Sequence, residues 1–293
     1  IVTGENRPLK KLNKLAGSIV ILDEIQSLPD IYMPLAGALI RKMAEFYGTR
    51  FLLMTATQPK LLEFGDRLLG EKNPPSIELL PDNERYFREL TRTKLVPLLS
   101  EKLTNESLAN VIVEKYQPRR SVLAVVNTIR RSIDLYHQLR KKQQDGIIGQ
   151  ETAIHYLSTN IIPKHRKNVV NTVKETLRRG HSVFLVSTQT IEAGVDLDFD
   201  MGFRDLAPME SLIQTAGRIN REGKKEDFSP LYIVQVGKDS QYVYRKHHLH
   251  RTEKLLLNRK EILEPEYRDL VETYYRELSA AGVADESRHL WEQ

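Results

Sequence analysis

The sequence predicts an α/β protein whose parallel sheets are arranged as two lobes followed by a helical C-terminal extension. Three observations predict it. Short aliphatic runs recur without polar alternation, as strands buried on both faces require. Stretches of helical period separate them, which makes the connections right-handed crossovers onto a parallel sheet. The length, 293 residues, is enough for two hydrophobic cores.

In chain order, Ser18–Leu22 reads as a fully buried parallel strand, because Ile19, Val20, Ile21 and Leu22 run together and stop at the carboxylates Asp23 and Glu24. A helix follows over Tyr32–Phe46, where Leu35, Leu39, Met43 and Phe46 share one face and Pro34 suits a first turn. The run Arg50–Met54 is a second buried strand; it ends in Thr55-Ala56-Thr57, and Pro59 starts another helix. The polar, proline-containing stretch Glu71–Lys94 shows no sustained period and marks a domain junction, with the boundary near residue 90. Residues 1–90 are therefore the first lobe. Residues 91–237 alternate again: helix Glu101–Tyr116, strand Ser121–Val126, helix Thr128–Lys141, strand Thr152–Leu157, helix Pro163–Arg179 and strand Val183–Thr188. Short strands at Asp196–Phe199 and Met201–Phe203, a helix Pro208–Arg221 and a strand Pro230–Val236 complete the second lobe. Residues 238–293 are charged, tyrosine-rich and helical in pattern.

Composition removes several function classes. There are no cysteines, so disulfides, thiolate metal sites, iron–sulfur clusters and cysteine nucleophiles are excluded. No apolar run approaches the roughly 20 residues that span a bilayer, and a cytoplasmic location without membrane partners is expected. Lys and Arg exceed Asp and Glu by 44 to 39, a net charge of +5, which permits a nucleic-acid partner without demanding one.

Four segments carry candidate chemistry. Asp23-Glu24 stands at the C-terminal end of a strand, where an α/β sheet presents ligands, and two adjacent carboxylates there can divide the labour. One holds magnesium through its waters while the other polarises an attacking water. An acidic helix cap is the structural alternative. Thr55-Ala56-Thr57 ends the next strand, and its hydroxyls can hydrogen-bond the acidic pair. In the run from Val186 to Asp200, an apolar strand ends in hydroxyl and amide side chains, Gly194 allows a close backbone approach, and Asp196, Asp198 and Asp200 alternate with Leu197 and Phe199. Gln214, Arg218 and Arg221 fall at spacings that put them on one helical face, and a guanidinium fork there can neutralise charge on a transferring phosphoryl group.

In this order, DEIQ, TAT, STQTIEAGVDLDFD and QTAGRINR resemble motifs II, III, V and VI of superfamily 2 helicases. DEIQ followed by SLP, the aspartate-rich run ending in DFD, and GRINREG look most like the CRISPR-associated helicase-nuclease of type I interference systems. The resemblance covers residues 15 to 237. It implies two RecA-like lobes that clamp ATP and Mg2+, move along single-stranded DNA and act on a target recruited by an RNA-guided surveillance complex. By that resemblance Asp23 is the magnesium carboxylate and Glu24 activates water, while Thr55 and Thr57 couple the nucleotide to DNA. Asn127 and Thr128 match the motif IV position on the DNA backbone, and Thr188 and Gln189 face DNA. Gly194 and Asp196 approach the nucleotide ribose. Gln214, Arg218 and Arg221 contact its phosphates, with Arg221 as arginine finger. Thr215 stands where many such helicases carry an arginine.

No G-x-x-x-x-G-K-[ST] occurs, since Gly223-Lys224 is followed by Lys225 and Gly237-Lys238 by Asp239. Nor is there a His-Asp dipeptide, and the eight histidines show no metal-ligand spacing. The expectation is that the first lobe is incomplete here, with the phosphate loop and the family's HD nuclease domain on missing N-terminal segments or a separate subunit. The rival readings are a non-catalytic docking module or split subunit of a nucleic-acid complex, and another superfamily 2 repair or RNA helicase. A Walker A motif in the gene upstream separates the enzyme from the module.

Overall fold

The computed structural model describes residues 12–279 apart from 56–59, 81–84, 86–87, 193, 226 and 238. Two compact units result, divided at Pro81/Asp82 and again at Leu270/Val271.

In the first unit α1 (Leu12–Leu15) leads into β1 (Ile19–Leu22), which pairs in parallel with β2 (Arg50–Leu53), Ile19 opposite Arg50 and Leu22 opposite Leu53. The crossover is α2 (Met33–Tyr47), and α3 (Leu61–Leu69) follows β2. Pro34 sits in the first turn of α2, and Gly48 closes the helix at φ 62°. The two helices meet backbone to backbone: a Cβ on Gly37 would lie 2.1 Å from the Leu61 carbonyl oxygen, and one on Gly65 would lie 2.3 Å from the Gly37 carbonyl carbon. Glycine is required at both positions for this approach. Around the crossing Met33, Leu35, Ala38, Met43, Leu61, Phe64 and Leu68 are buried. The expectation that β1 is buried on both faces fails, because Ile19 and Ile21 are 71% and 60% exposed. Burial depends on what covers each face, and an aliphatic run states only that both faces are apolar.

The second unit is a seven-stranded sheet in the order β5-β6-β4-β7-β8-β3-β9. Its members are β3 (Thr93–Leu103), β4 (Val122–Val125), β5 (Ala153–Leu157), β6 (Val183–Ser187), β7 (Met201–Asp205), β8 (Ser229–Val236) and β9 (Ile262–Leu263). All neighbours are parallel except β3 with β9. Helices α4 (Asn105–Lys115), α5 (Ile129–Gln144), α6 (Pro163–Arg178) and α7 (Met209–Ala216) connect the strands, α8 (Lys246–Leu256) follows, and α9 (Tyr267–Ser279) begins in this unit and runs past its limit at Leu270. Val122, Ala124, Phe184, Val186, Phe203 and Val234 pack against Leu108 and Ile112 of α4 and Leu135 and Leu139 of α5. Their neighbours Leu123, Leu185 and Leu231 are equally buried, which is why these strands read as unbroken apolar runs.

Three sequence expectations are corrected here. The helix expected over Glu101–Tyr116 is α4 alone, because Thr93–Leu103 forms an 11-residue strand. Pro97 disguises that strand. It lies beyond Lys94 and Leu95, the two residues β9 pairs, on an open edge where a missing N–H is tolerated. The helix starts after Thr104, whose hydroxyl accepts from Ser107 N at 3.1 Å while the Ser107 hydroxyl accepts from Thr104 N at 2.7 Å. The helix expected over Pro208–Arg221 ends at Ala216, and the strand expected over Asp196–Phe199 reduces to one bridge between Phe199 and Ile219. Phe199 N donates to Arg218 O and Asn220 N to Phe199 O, so the chain after Gly217 leaves the helix to pair beside β7. Among the described residues from 239 to 279, short 3-10 turns and the helices α8 and α9 predominate, with the two-residue β9 inserted.

Candidate functional site

In the first unit β1 delivers Asp23 and Glu24, both exposed, at its C-terminal end. Asp23 Oδ1 accepts from Glu24 N at 2.9 Å. That leaves its second carboxylate oxygen for a hydrated cation, so the residue fits a magnesium ligand. Glu24 lies in the left-handed region, φ 52° and ψ 39°, a conformation disfavoured for a side chain of this size. Its carboxylate accepts from Gln26 Nε2. Gln26, 3% exposed, accepts in turn from Thr55 Oγ1 at 2.5 Å. The expected contact between the threonine hydroxyl and the acidic pair is thus relayed by Gln26, which sequence reasoning passed over although DEIQ contains it. Thr57 lies outside the described residues.

In the second unit the segments divide between the two ends of the sheet. Asn127, Thr128, Thr188 and Gln189 follow β4 and β6 at their C-terminal ends, whereas Asp200, bonded to Ser121 just before β4, and Arg221, bonded to Arg92 just before β3, lie at the N-terminal ends. Thr128 caps α5, its Oγ1 accepting from Arg131 N at 3.3 Å. Beside it, Thr188 and Gln189 follow β6. A groove of about 580 Å³ is lined by Asn127, Thr128, Ile129, Thr159, Thr188, Gln189, Thr190 and Val243. Asn127 itself is 3% exposed, and both amide hydrogens are used, on Leu206 O and Ser240 Oγ at 2.8 Å each. Its side chain is turned inward, away from any ligand in the groove.

Asp196 is 68% exposed and pairs with Lys174 Nζ at 2.6 Å and Arg221 Nε at 3.3 Å. The hydrogen bond from Lys174, reinforced by that cation and by Arg221 and Arg218, holds its carboxyl below the usual aspartate range. Asp198 accepts from Arg221 N at 2.7 Å and orients the same turn. Asp200 closes the series as scaffold, accepting from Ser121 N and Oγ at 2.6 Å each. Gly194 takes φ 70°, and a Cβ there would meet nothing within 4 Å, so the glycine serves the backbone conformation and leaves open space above it. Gln214 lies on α7, but Arg218 and Arg221 fall beyond the helix, so the single helical face expected for the three does not exist. Arg218 is held by Ile191 O at 3.1 Å and Glu192 O at 2.6 Å. Arg221 is 43% exposed, and the left-handed turn at Asn220, φ 44°, sets its direction. Thr215 is buried and donates to Ser211 O at 2.9 Å, so its side chain is not available to a ligand.

The centre of the unit is Arg204 on β7, wholly buried and not anticipated. It donates to Glu192 Oε1 at 3.0 Å, Asn127 Oδ1 at 2.5 Å, Asp205 O at 2.9 Å and Tyr244 OH at 3.0 Å. Burial opposes its charge, but Glu192, Tyr244 and Asp205 more than offset this and raise its pKa. Burial pushes Glu192 up and pushes Asp205 to about 6, although Asp205 accepts from Val236 N at 2.9 Å and Ser240 Oγ at 3.2 Å. The available signal was a guanidinium inside the apolar strand MGFRD, since such a group is buried only when paired.

A parallel-dominated sheet covered by helices, carrying polar and charged segments at the ends of its strands, defines an α/β protein of nucleotide-binding type in architecture. Comparison with known proteins narrows the class. Residues 118–224 match the family described as CRISPR-associated nuclease/helicase Cas3, C-terminal. The chain is 27% identical over 297 residues to the CRISPR-associated nuclease/helicase Cas3 of Haloferax volcanii, covering 75% of this chain and 32% of that protein. Among solved structures, T. fusca Cas3 with ATP superposes at a TM-score of 0.71 with 20% identity, covering 95% of this chain and 38% of that one. A chain of an RNA-guided CRISPR surveillance complex in a pre-nicking state superposes at 0.65 with 18% identity, covering 96% and 41%. This chain is similar in sequence and in fold to the helicase region of Cas3 proteins, as its motifs imply. It spans about a third of the length of the curated relatives it matches. No helix among the described residues is long and apolar enough to cross a membrane.

Proposed function

We propose that this chain is the helicase portion of an ATP-driven translocase that moves along single-stranded DNA during CRISPR interference, acting with an RNA-guided surveillance complex. The observation that carries the reading is the Asp196–Arg221 pair beside the carbonyl-held Arg218. A family resemblance alone does not require one exposed guanidinium to be aimed by Asp196 and Asp198 while another is pinned by the backbone of Ile191 and Glu192. A polar ligand with several negative oxygens fits such a set.

Bound nucleotide supplies the free energy of phosphoryl transfer. Were magnesium bound with the nucleotide, Asp23 would hold the hydrated ion through the oxygen that Glu24 N leaves free, the ion would screen phosphate charge, and Glu24 would orient water and accept its proton. Gln26 fixes the Glu24 carboxylate and links it to Thr55, so the state of the acidic pair is felt at the end of β2; Thr57 serves the same coupling. In the second unit Arg218, Arg221 and Gln214 would be the groups that meet phosphate oxygens, and Gly194 and Asp196 those that meet a sugar. On the DNA side Thr128 has a hydroxyl hydrogen free to donate to a phosphate, because its oxygen is the acceptor of the cap. Thr188 and Gln189 complete that side, and Asn127 acts through its neighbours, not by touching DNA. These 293 residues contain no phosphate loop, so hydrolysis by them alone should be negligible.

The test is ATPase activity of the full-length protein with and without single-stranded DNA. Glu24→Gln should keep ATP binding and abolish hydrolysis. Hydrolysis retained in that variant would remove the proposed base.

A further inference from the structure

We infer that the segment Asp239–Tyr244, which follows β8 and belongs to none of the helicase motifs, forms a wall of the nucleic-acid groove: Val243 and Ile129 grip a nucleoside of a single strand, and the buried Arg204 is the positioning residue that holds the wall in place. The inference rests on the nucleic-acid reading of the groove and extends it to a part of the chain that the motifs leave unassigned.

The groove is chemically divided. Thr128, Thr159, Thr188, Thr190 and Gln189 give it hydrogen-bonding groups, whereas Ile129 and Val243 are its two aliphatic side chains, 39% and 43% exposed. Hydroxyls and an amide suit phosphate and sugar oxygens. Two aliphatic groups left open to water beside them suit the flat faces of an unstacked base or the apolar side of a sugar. A duplex offers neither, since its bases are stacked away.

The wall is firmly anchored. Asp239 pairs with Arg131 of α5 at 3.0 Å. Ser240 bonds Asn127 and Asp205, and Tyr244, half-buried, accepts from Arg204. Gly237 turns the chain at φ 60° and lies so close under the Arg131 guanidinium that a Cβ would come within 1.9 Å of Nη2. Three of the four partners of Arg204 adjoin a groove residue or an arginine contact: Asn127 precedes Thr128, Tyr244 follows Val243, and the Glu192 carbonyl holds Arg218. One buried cation therefore fixes the spacing of the two aliphatic lips.

The test uses the full-length protein and two fluorescent probes of equal length, an oligothymidylate and an abasic deoxyribose-phosphate strand. Val243→Ala should weaken oligothymidylate binding several-fold and leave the abasic strand unchanged, so that the affinity ratio between probes falls. Val243→Glu should lose oligothymidylate binding by at least about tenfold, as a carboxylate enters a site for a polyanion. Tyr244→Phe, which removes the hydroxyl that meets Arg204, Gln189 and Ser211, should lower the same ratio while circular dichroism shows the fold retained. If Val243→Glu binds oligothymidylate as the parent does, the wall is elsewhere and the groove reading survives. Equal losses on both probes in Val243→Ala would reassign the contact to the backbone. An unchanged ratio in Tyr244→Phe would remove Arg204 from the role. A parent protein that binds neither probe would overturn the groove reading and this inference together.

Discussion

Single side chains separate the chemistry from the scaffold. Arg221 and Arg218 stand three residues apart, yet one is 43% exposed and aimed by aspartates while the other spends its donors on backbone carbonyls. Arg221→Ala in the full-length protein should lower turnover by about a thousandfold, the scale of a lost arginine finger, with little change in DNA affinity. Comparable losses in both would move Arg221 to the DNA track. Asp205 offers a pH signature. Its folded pKa, about 6, lies above the ordinary aspartate value of 3.8, so the folded state holds the proton longer than the unfolded chain does. Asp205 therefore costs stability that is absent below pH 4 and fully present above pH 6, on the order of 3 kcal/mol. The stability difference between the parent and Asp205→Asn, followed by urea denaturation, should shift against the parent by that order as pH rises through this window. A pH-independent difference would mean that Asp205 is ionised throughout.

Elements show what the sequence could state about itself. The strands β4, β6 and β8 were legible because both faces are covered, and the helices α2, α5 and α6 because a helical stripe repeats. β3 was not legible, since Pro97 speaks against a strand and only the neighbouring chain reveals that its edge is open. The early end of α7 was equally hidden: nothing local forces it beyond Gly217, and pairing with Phe199 draws Arg218–Asn220 away. The candidate site was read through its motif residues, whereas Gln26 and Arg204 gain their roles from contacts distant in sequence. In the same way Gly37 and Gly65 look like helix-weakening residues until α2 and α3 are seen to touch. Gly65→Ala would gain helix propensity of about 1 kcal/mol, but the helices must separate to admit the methyl group. A net loss of about 2 kcal/mol or more is expected in thermal or urea denaturation. A neutral or stabilised variant would show that the crossing yields easily.

For the whole molecule, the proposed function makes a claim about ions more than about sequence. A strand held through its phosphates gives up condensed counterions on binding, so affinity should fall steeply and log-linearly with salt, by about 0.7 of a decade per decade of salt for each phosphate neutralised. Binding should depend little on base sequence. A flat response to salt would count heavily against a translocase, whatever the fold. The net charge of +5 leaves that attraction to local placement and not to the overall field.

The arginine inside β7 also limits how such proteins can be recombined. Because Arg204 grips Asn127, Glu192 and Tyr244 together, a chimera that borrows residues 239–244 from a relative inherits half of a lock. The transplant should succeed only when position 204 and the two acceptors travel with it, so that exchange among natural relatives would be expected to move these scattered positions as one unit.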